Sequence, residues 1–512
     1  MYPINSQLNI SVKAPLIAGI SFVLGLLFDY FFYDKIPGIG FPIYIGLILI
    51  GLFIISKDSK RQINKQVLWL LIPLIFFSSM VFVRSSELLT FLNIVASLLL
   101  LLLVAEVLFV GLLKNFLISD YLKIIFLPFR FIRAFFQTLP NIFKFWKVGT
   151  EPTEPKVSSR VIKGIIMAIP IILIFLGLFS SADLIFQKYL SDLIRIDIDP
   201  EIIVRSILVL SATFALIGAY SYTLGKKERS IVSSTTNTKS YTIGHIETSI
   251  LLGMVNLLFF GFILVQLTYL FGGESNIVSQ GFTYAEYARK GFFELIAVAI
   301  ISFLLLLTTE KYIAKKDTDH TLIFRILSTA LIIQVILIMM SGFKRLLLYE
   351  EAYGFTTLRL YSHGFIILLA IIFVLLLYKI HKDKRENSFV LRAFVSVTVF
   401  LVVINIINPD KFIAERNIER FATTGKLDTH YLASLSDDAV PEMVKILNIP
   451  DEDIRNGFAR ELYWRTQKDS SFSAQWQSSN ISRINANNIL KPKMADLEQY
   501  KDYQQQEDTG LN

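Results

Sequence analysis

"TYAEYARKGFFELIAVAIISFLLLL" (residues 283–307) joins two chemistries on one helical period. Its second half is an unbroken apolar run suited to hydrocarbon, while its first half carries Glu286, Arg289, Lys290 and Glu294. Glu286, Lys290 and Glu294 recur at i, i+4 and i+8, so they share one helix face. Glu294 already lies about one turn inside the apolar run, where a carboxylate needs a partner or a proton. The stretch reads as a charged threshold leading into a membrane-spanning helix, and the expected partner of Glu294 is Lys290 or a guanidinium from a neighbouring span.

The rest of the chain repeats the apolar half. Of 512 residues, 54% are hydrophobic and only 18% charged, with a mean hydropathy of +0.56. A soluble protein of this length would be markedly more polar. Eleven apolar runs fall at 14–33, 37–56, 67–83, 92–113, 163–182, 203–223, 248–270, 291–309, 323–343, 361–380 and 389–408. Each is long enough to cross a hydrocarbon core of roughly 30 Å as a helix. The fold class expected is therefore all-α, a polytopic bundle of about eleven transmembrane helices. The first run is too long for a signal-peptide core and lacks a small-x-small cleavage site after it, so it reads as a retained span.

Lys and Arg alternate between the connections. Those at 57–65, 114–163, 226–239, 311–325 and 379–392 are basic, and every second one is not. Basic loops stay in the cytoplasm, which places the N-terminus inside and the C-terminus outside. The net charge of +8 is thereby assigned to orientation, and no nucleic-acid partner is expected. The absence of cysteine excludes disulfides, thiolate metal sites and cysteine nucleophiles.

Three segments divide the chain. Residues 1–408 form the transmembrane domain, and within it "YLKIIFLPFRFIRAFFQTLPNIFKFWK" marks an amphipathic segment, 119–147, with Lys123, Arg130, Arg133, Gln137 and Lys144 on one face. That segment is expected to lie in the headgroup layer and to break near Pro128 and Pro140. Residues 409–491 form a small extracytoplasmic helical domain, with Asn408 and Pro409 opening a helix, Gly425 closing it, and Asp428 and Ser436 as further N-caps. Residues 492–512 read as a flexible polar tail, and 226–239 as a Ser/Thr-rich linker.

Two further charged stretches fall on the same side as the opening one. "FKRLLLYEEAYGFTTLRLYSH" supplies Arg345, Glu350, Glu351, Tyr353 and Arg359, and "DKFIAERNIERFA" supplies Arg416, Glu419 and Arg420. Together they form a charged collar that either holds an anionic or lipid-linked envelope ligand or docks the C-terminal domain. Glu106, inside an apolar run, is the remaining costly residue: an intramembrane proton or cation relay, or a carboxyl hydrogen-bonded to another helix. No Walker loop, GxSxG, HExxH or paired CxxC occurs, so no catalytic residue, metal site or cofactor is assigned. Three functions remain: a ligand-binding or transport protein, a membrane transferase using Asp29 or the Glu286 face, and a non-catalytic sensor or scaffold. The expected partners are the bilayer and an envelope ligand or lipid, and the oligomeric state is left open.

At "TYAEYARKGFFEL", "EEAYGFTTLRLY" and "NPDKFIAERNIERFATTGKLDTHYLASLSDDAVP" the chain resembles a bacterial family of polytopic membrane proteins, domain of unknown function 4173, related to 4153, over roughly residues 160–490. The resemblance implies a multi-pass protein of the bacterial cytoplasmic membrane and carries over no catalytic residue.

Overall fold

In hydrocarbon every backbone N–H and C=O must find its partner within the chain, so an apolar run folds as a helix. The computed structural model describes residues 6–57, 64–109, 113–145, 182–193, 200–225, 244–270, 292–312, 318–382, 386–469 and 475–503, with isolated helical positions between 168 and 180. The run at 163–182 therefore lies largely outside the described residues, as does the linker at 226–239. The other ten runs are helices: α1 (Ser6–Phe32), α2 (Gly40–Ser56), α3 (Gln66–Val83) and α4 (Glu87–Val107), then, after α5 (Ile118–Ile125), α6 (Leu127–Phe145) and α7 (Leu184–Leu193), which are not among those runs, α8 (Pro200–Gly225), α9 (His245–Leu270), α10 (Phe292–Tyr312), α11 (Thr318–Tyr353), α12 (Thr357–Lys382) and α13 (Glu386–Ile407). Among the described residues nine of these are long and apolar enough to cross a membrane, and α2 is a shorter apolar helix. The chain is an all-α, multi-pass membrane protein.

Two apolar cores hold the bundle together. One joins α1 to α5 with α8, around Leu24, Leu52, Leu74, Phe77, Leu103 and Ile217. The other joins α9 to α13, around Leu252, Leu306, Leu331, Val335 and Phe373. Between these packed faces the helices show large apolar side chains outward, among them Trp69, Leu257 and Met340, as helices bathed in lipid do.

The segment at 119–147 departs from expectation at its second proline. Among its described residues it breaks once, at Phe126 just before Pro128, and Pro140 sits inside α6 without ending it. Helix α6 packs lengthwise and antiparallel against α8: Arg130 reaches Tyr222, Phe131 lies over Gly218, and the Phe135 and Phe214 rings are 4.0 Å apart. Leu127, Phe131, Ala134 and Thr138 form its buried stripe. Arg130, Arg133 and Gln137 are exposed on the other side of the helix.

After Ile407 the chain turns sharply at Asn408, whose φ of 56° is left-handed, a conformation that asparagine tolerates better than most residues. Helix α14 (Pro409–Thr424) follows with Pro409 at its start and Gly425 in the left-handed conformation at its end. Asn408 caps by position only, with no side-chain bond, whereas Asp428 does accept from Tyr431 N at the head of α15 (Thr429–Ser434). Helices α16 (Val440–Met443), α17 (Glu452–Asp469), α18 (Ile481–Leu490) and α19 (Met494–Glu498) complete a third core around Ile413, Val440, Met443, Phe458, Leu462 and Leu490. This core extends past the expected boundary at 491: Leu497 is buried in it, and Tyr503 Oη donates to Asp453 Oδ1 at 2.7 Å. The described part of the supposed tail is thus folded.

Candidate functional site

Every helix end leaves backbone groups without intrahelical partners. The C-terminal helices supply those partners to several of the membrane helices. At the turn between α11 and α12, Arg420 donates Nε to Glu351 O at 2.9 Å and Nη2 to Ala352 O at 2.6 Å. Asn417 exchanges two bonds of 2.8 Å with the backbone of Phe355, and Tyr431 Oη accepts from Thr357 N at 2.7 Å. Gly354, at the centre, has φ +85°, and a Cβ there would stand 2.5 Å from Asn417 Oδ1. Only glycine suits both the backbone and the close approach.

The α3–α4 corner is held in the same manner, by an amide, a hydroxyl and a carboxylate. Val81 O and Arg84 O, at the end of α3, accept from Asn480 Nδ2 at 3.1 and 2.8 Å, and Ser482 Oγ lies 2.8 Å from Val83 O. The opening N–H groups before α4 meet a carboxylate: Asp438 Oδ2 accepts from Ser85 N at 2.7 Å and Ser86 N at 3.1 Å, where the helix dipole also favours negative charge. Asp438 Oδ1 accepts from Ser482 Oγ at 2.5 Å and lies 3.5 Å from Arg84 Nη1. Arg84 spends its other nitrogens on Asn405 O, the end of α13, at 3.0 and 2.6 Å. Beneath it Asn93 and Asn405 pair side chain to side chain by two bonds of 2.8 Å. Burial foremost, and then the neighbouring Asp438, hold the Asp410 carboxyl above the usual carboxylate range, against hydrogen bonds from Ser436 and Ser86.

Asp437, Asp438, Arg84 and Asn480 were not singled out in the sequence. The signal was present, because both aspartates stand in "SLSDDAVP", inside a stretch that carries the family resemblance. Two adjacent acids preceding a short helix read as a solvated turn until the partner segment, more than 350 positions away, is placed against them.

The expected collar is assembled only in part. Glu286, Arg289 and Lys290 lie outside the described residues. Glu294 is exposed in the first turn of α10, with no hydrogen-bond or ionic partner among the described residues, so the arginine pair expected for it is not formed. The guanidinium groups are engaged elsewhere: Arg359 donates to Gly354 O and lies 4.0 Å from the Tyr349 ring centre, Arg416 pairs with Glu419 at 2.8 Å on an exposed face, and Arg420 holds carbonyls. Unpaired carbonyls at a helix end compete well for such donors. Arg345 is half-buried, and Glu351 and Tyr353 are exposed. Glu350 is buried, its Oε1 3.3 Å from His363 Nδ1, within ion-pair range but without hydrogen-bond alignment. Glu294→Gln is accordingly expected to change stability by less than about 0.5 kcal/mol. A thermal transition several degrees below that of the wild type would reveal a partner and restore the covered collar.

The remaining acids are occupied. Tyr222 Oη donates to Glu106 Oε2 at 2.9 Å, and Arg130 Nη1 stands 3.4 Å from the same hydroxyl, tying α4, α6 and α8 together. Asp29 is gripped by Arg205 through three contacts of 2.7 to 3.2 Å, which leaves the transferase reading without a free acid at that position. Lys35 closes α1 by donating to Tyr30 O at 2.7 Å.

A family model described as Domain of unknown function (DUF4153) matches residues 71–446. The chain belongs to that family. The matched span starts earlier and ends earlier than the sequence resemblance implied, running from α3 through Asp410, Asp437 and Asp438 and stopping before Asn480 and Ser482. No curated protein and no solved structure matches the chain.

Proposed function

We propose that this DUF4153 protein binds an anionic lipid, or a ligand carried on one, at the end of the bundle that bears the C-terminal domain. One observation carries the reading: an apolar groove of about 500 Å3 runs between α11 and α12, lined by Met340, Phe343, Leu347, Ile367 and Val374, with Lys344 near the end closest to the Gly354 turn. Its α11 wall, from Ile336 to Leu347, is roughly 16 Å long at 1.5 Å per residue, a length suited to an acyl chain. A lysine at the edge of such a groove favours a phosphate headgroup. Native mass spectrometry of the detergent-purified protein offered phosphatidylglycerol and phosphatidylcholine tests this. Preferential retention of the anionic lipid is expected, reduced about fivefold by Lys344→Gln, the equivalent of ~1 kcal/mol for one basic residue at a membrane surface. Equal retention of both lipids would reject the proposal.

The alternation of basic connections supports an extracytoplasmic C-terminal domain. The cysteine-free sequence permits a clean test: in intact cells a membrane-impermeant maleimide should modify Thr424→Cys but not Lys382→Cys, both exposed and at opposite ends of the bundle. The reverse pattern would invert the topology. A sensor or scaffold is the second reading, supported by α4, which meets Asp438 at its first turn and Tyr222, through Glu106, at its last.

A further inference from the structure

A second hollow, of about 420 Å3, opens between the α3–α4 corner, the start of α14 and α18. It falls within the roughly 300–1,000 Å3 range of small-molecule sites, and its lining differs in kind from the lipid groove. Each charged side chain in its wall has a partner of opposite sign, although Lys411 shares Glu442 with Lys445. Asp437 has Arg465 at 3.0 Å and Arg483 at 3.9 Å, Asp438 has Arg84 at 3.5 Å, and Lys411 has Glu442 at 3.6 Å. The two cations and two anions that line it, Arg84, Lys411, Asp437 and Asp438, sum to zero charge.

The unspent hydrogen-bonding capacity belongs to amides. On α18, Ile481, Ile484, Asn485 and Asn488 recur at i, i+3, i+4 and i+7, so they form one stripe along the cleft. All four are exposed, while Ala486 and Leu490 on the other side of the helix are buried in the third core. Neither Asn485 nor Asn488 has a hydrogen-bond partner among the described residues. Across the cleft stands Asn408, 8% exposed and held in the left-handed conformation, its Oδ1 buried without a partner. A buried amide oxygen left unpaired costs free energy that a ligand hydroxyl, after a turn of the amide, would recover.

We propose that this cleft binds a neutral saccharide unit. Asparagine amides offer both donor and acceptor to sugar hydroxyls, Ile481 and Ile484 provide apolar surface for the C–H face of the ring, and the charged side chains of the lining, two of each sign, give the wall no net charge to favour an ion. The site does not depend on the lipid reading, since Lys344 does not line it.

Saturation-transfer NMR on the full-length protein in detergent micelles tests the proposal, with N,N′-diacetylchitobiose and maltose as probes and inorganic phosphate as competitor. Transfer to the ring protons of at least one disaccharide is expected, unaffected by phosphate. Asn485→Ala combined with Asn488→Ala should weaken that binding about tenfold and leave the thermal transition in place, because both side chains are exposed. Should the transition fall, the single variants Asn485→Ala and Asn488→Ala, assayed separately, carry the same expectation at a smaller size. No transfer from either disaccharide, transfer unchanged in the folded variants, or displacement by phosphate would each overturn the assignment.

Discussion

Asp438→Ala is expected to lower the stability of the protein by roughly 3 to 5 kcal/mol, the cost of removing one member of a buried charged pair. The carboxylate is fully buried, side-chain exposure 0%, while Arg84 is 17% exposed. Its loss leaves Arg84 facing Asn405 O alone and strips Ser85 N and Ser86 N of their acceptor. Each unpaired buried donor adds about 1 to 3 kcal/mol before water enters to relieve it. The effect should also be local. Because Asp438 and Asn480 between them satisfy both sides of the α3–α4 corner, the C-terminal domain should come loose there first. Thermal unfolding in micelles, combined with limited proteolysis of the 409–503 region, would report both effects. Asp438→Asn retains an acceptor and should lose less. If Asp438→Ala melts and digests as the wild type does, the corner is not the anchor described above.

Gly218→Val should be similarly damaging, by roughly 3 kcal/mol, at the upper end of what overpacking costs. A Cβ at Gly218 would meet Phe131 O at 2.4 Å and its carbonyl carbon at 2.8 Å. Those atoms are backbone and cannot rotate aside, so α6 would have to move bodily away from α8. That motion would separate Phe135 from Phe214 and Arg130 from Tyr222, and with them the link to Glu106. The substitution discriminates between two placements of α6. A helix lying free in the headgroup layer would leave Gly218 facing lipid, and valine there would change stability by less than about 0.5 kcal/mol. A wild-type thermal transition for Gly218→Val would therefore return α6 to the interface.

The lipid-facing side of the fold was plain in the residues. Solvent alone dictates that Leu, Ile, Phe and Val runs of this length become helices, and a rule that depends on composition can be read without knowing any contact. The run expected at 203–223 became Pro200–Gly225, and that at 67–83 became Gln66–Val83. Where the two part company, a local signal was outweighed or absent. The span at 323–343 continues as α11 to Tyr353, because "LLLYEEAY" has no breaker and Gly354 is the first residue in the left-handed conformation. Charged residues there mark the last turns of a helix, where the hydropathy profile implied a loop.

Composition thus determined that the chain is helical, multi-pass and free of thiol chemistry, and its short motifs located Asn408–Pro409, Gly425 and Asp428 at helix ends, because capping involves neighbours in sequence. Only the tertiary structure decided which charges meet. Arg420 reaches Glu351 O and Ala352 O across 69 and 68 positions, and Asp438 reaches Ser85 N across 353. Partners at such separations leave no periodicity to read, and a guanidinium satisfies a carbonyl at a helix end as readily as a carboxylate. Hence Glu294, which the sequence marked as most in need of a partner, stands exposed, while Asp438, which no motif singled out, is buried and holds the domain to the bundle.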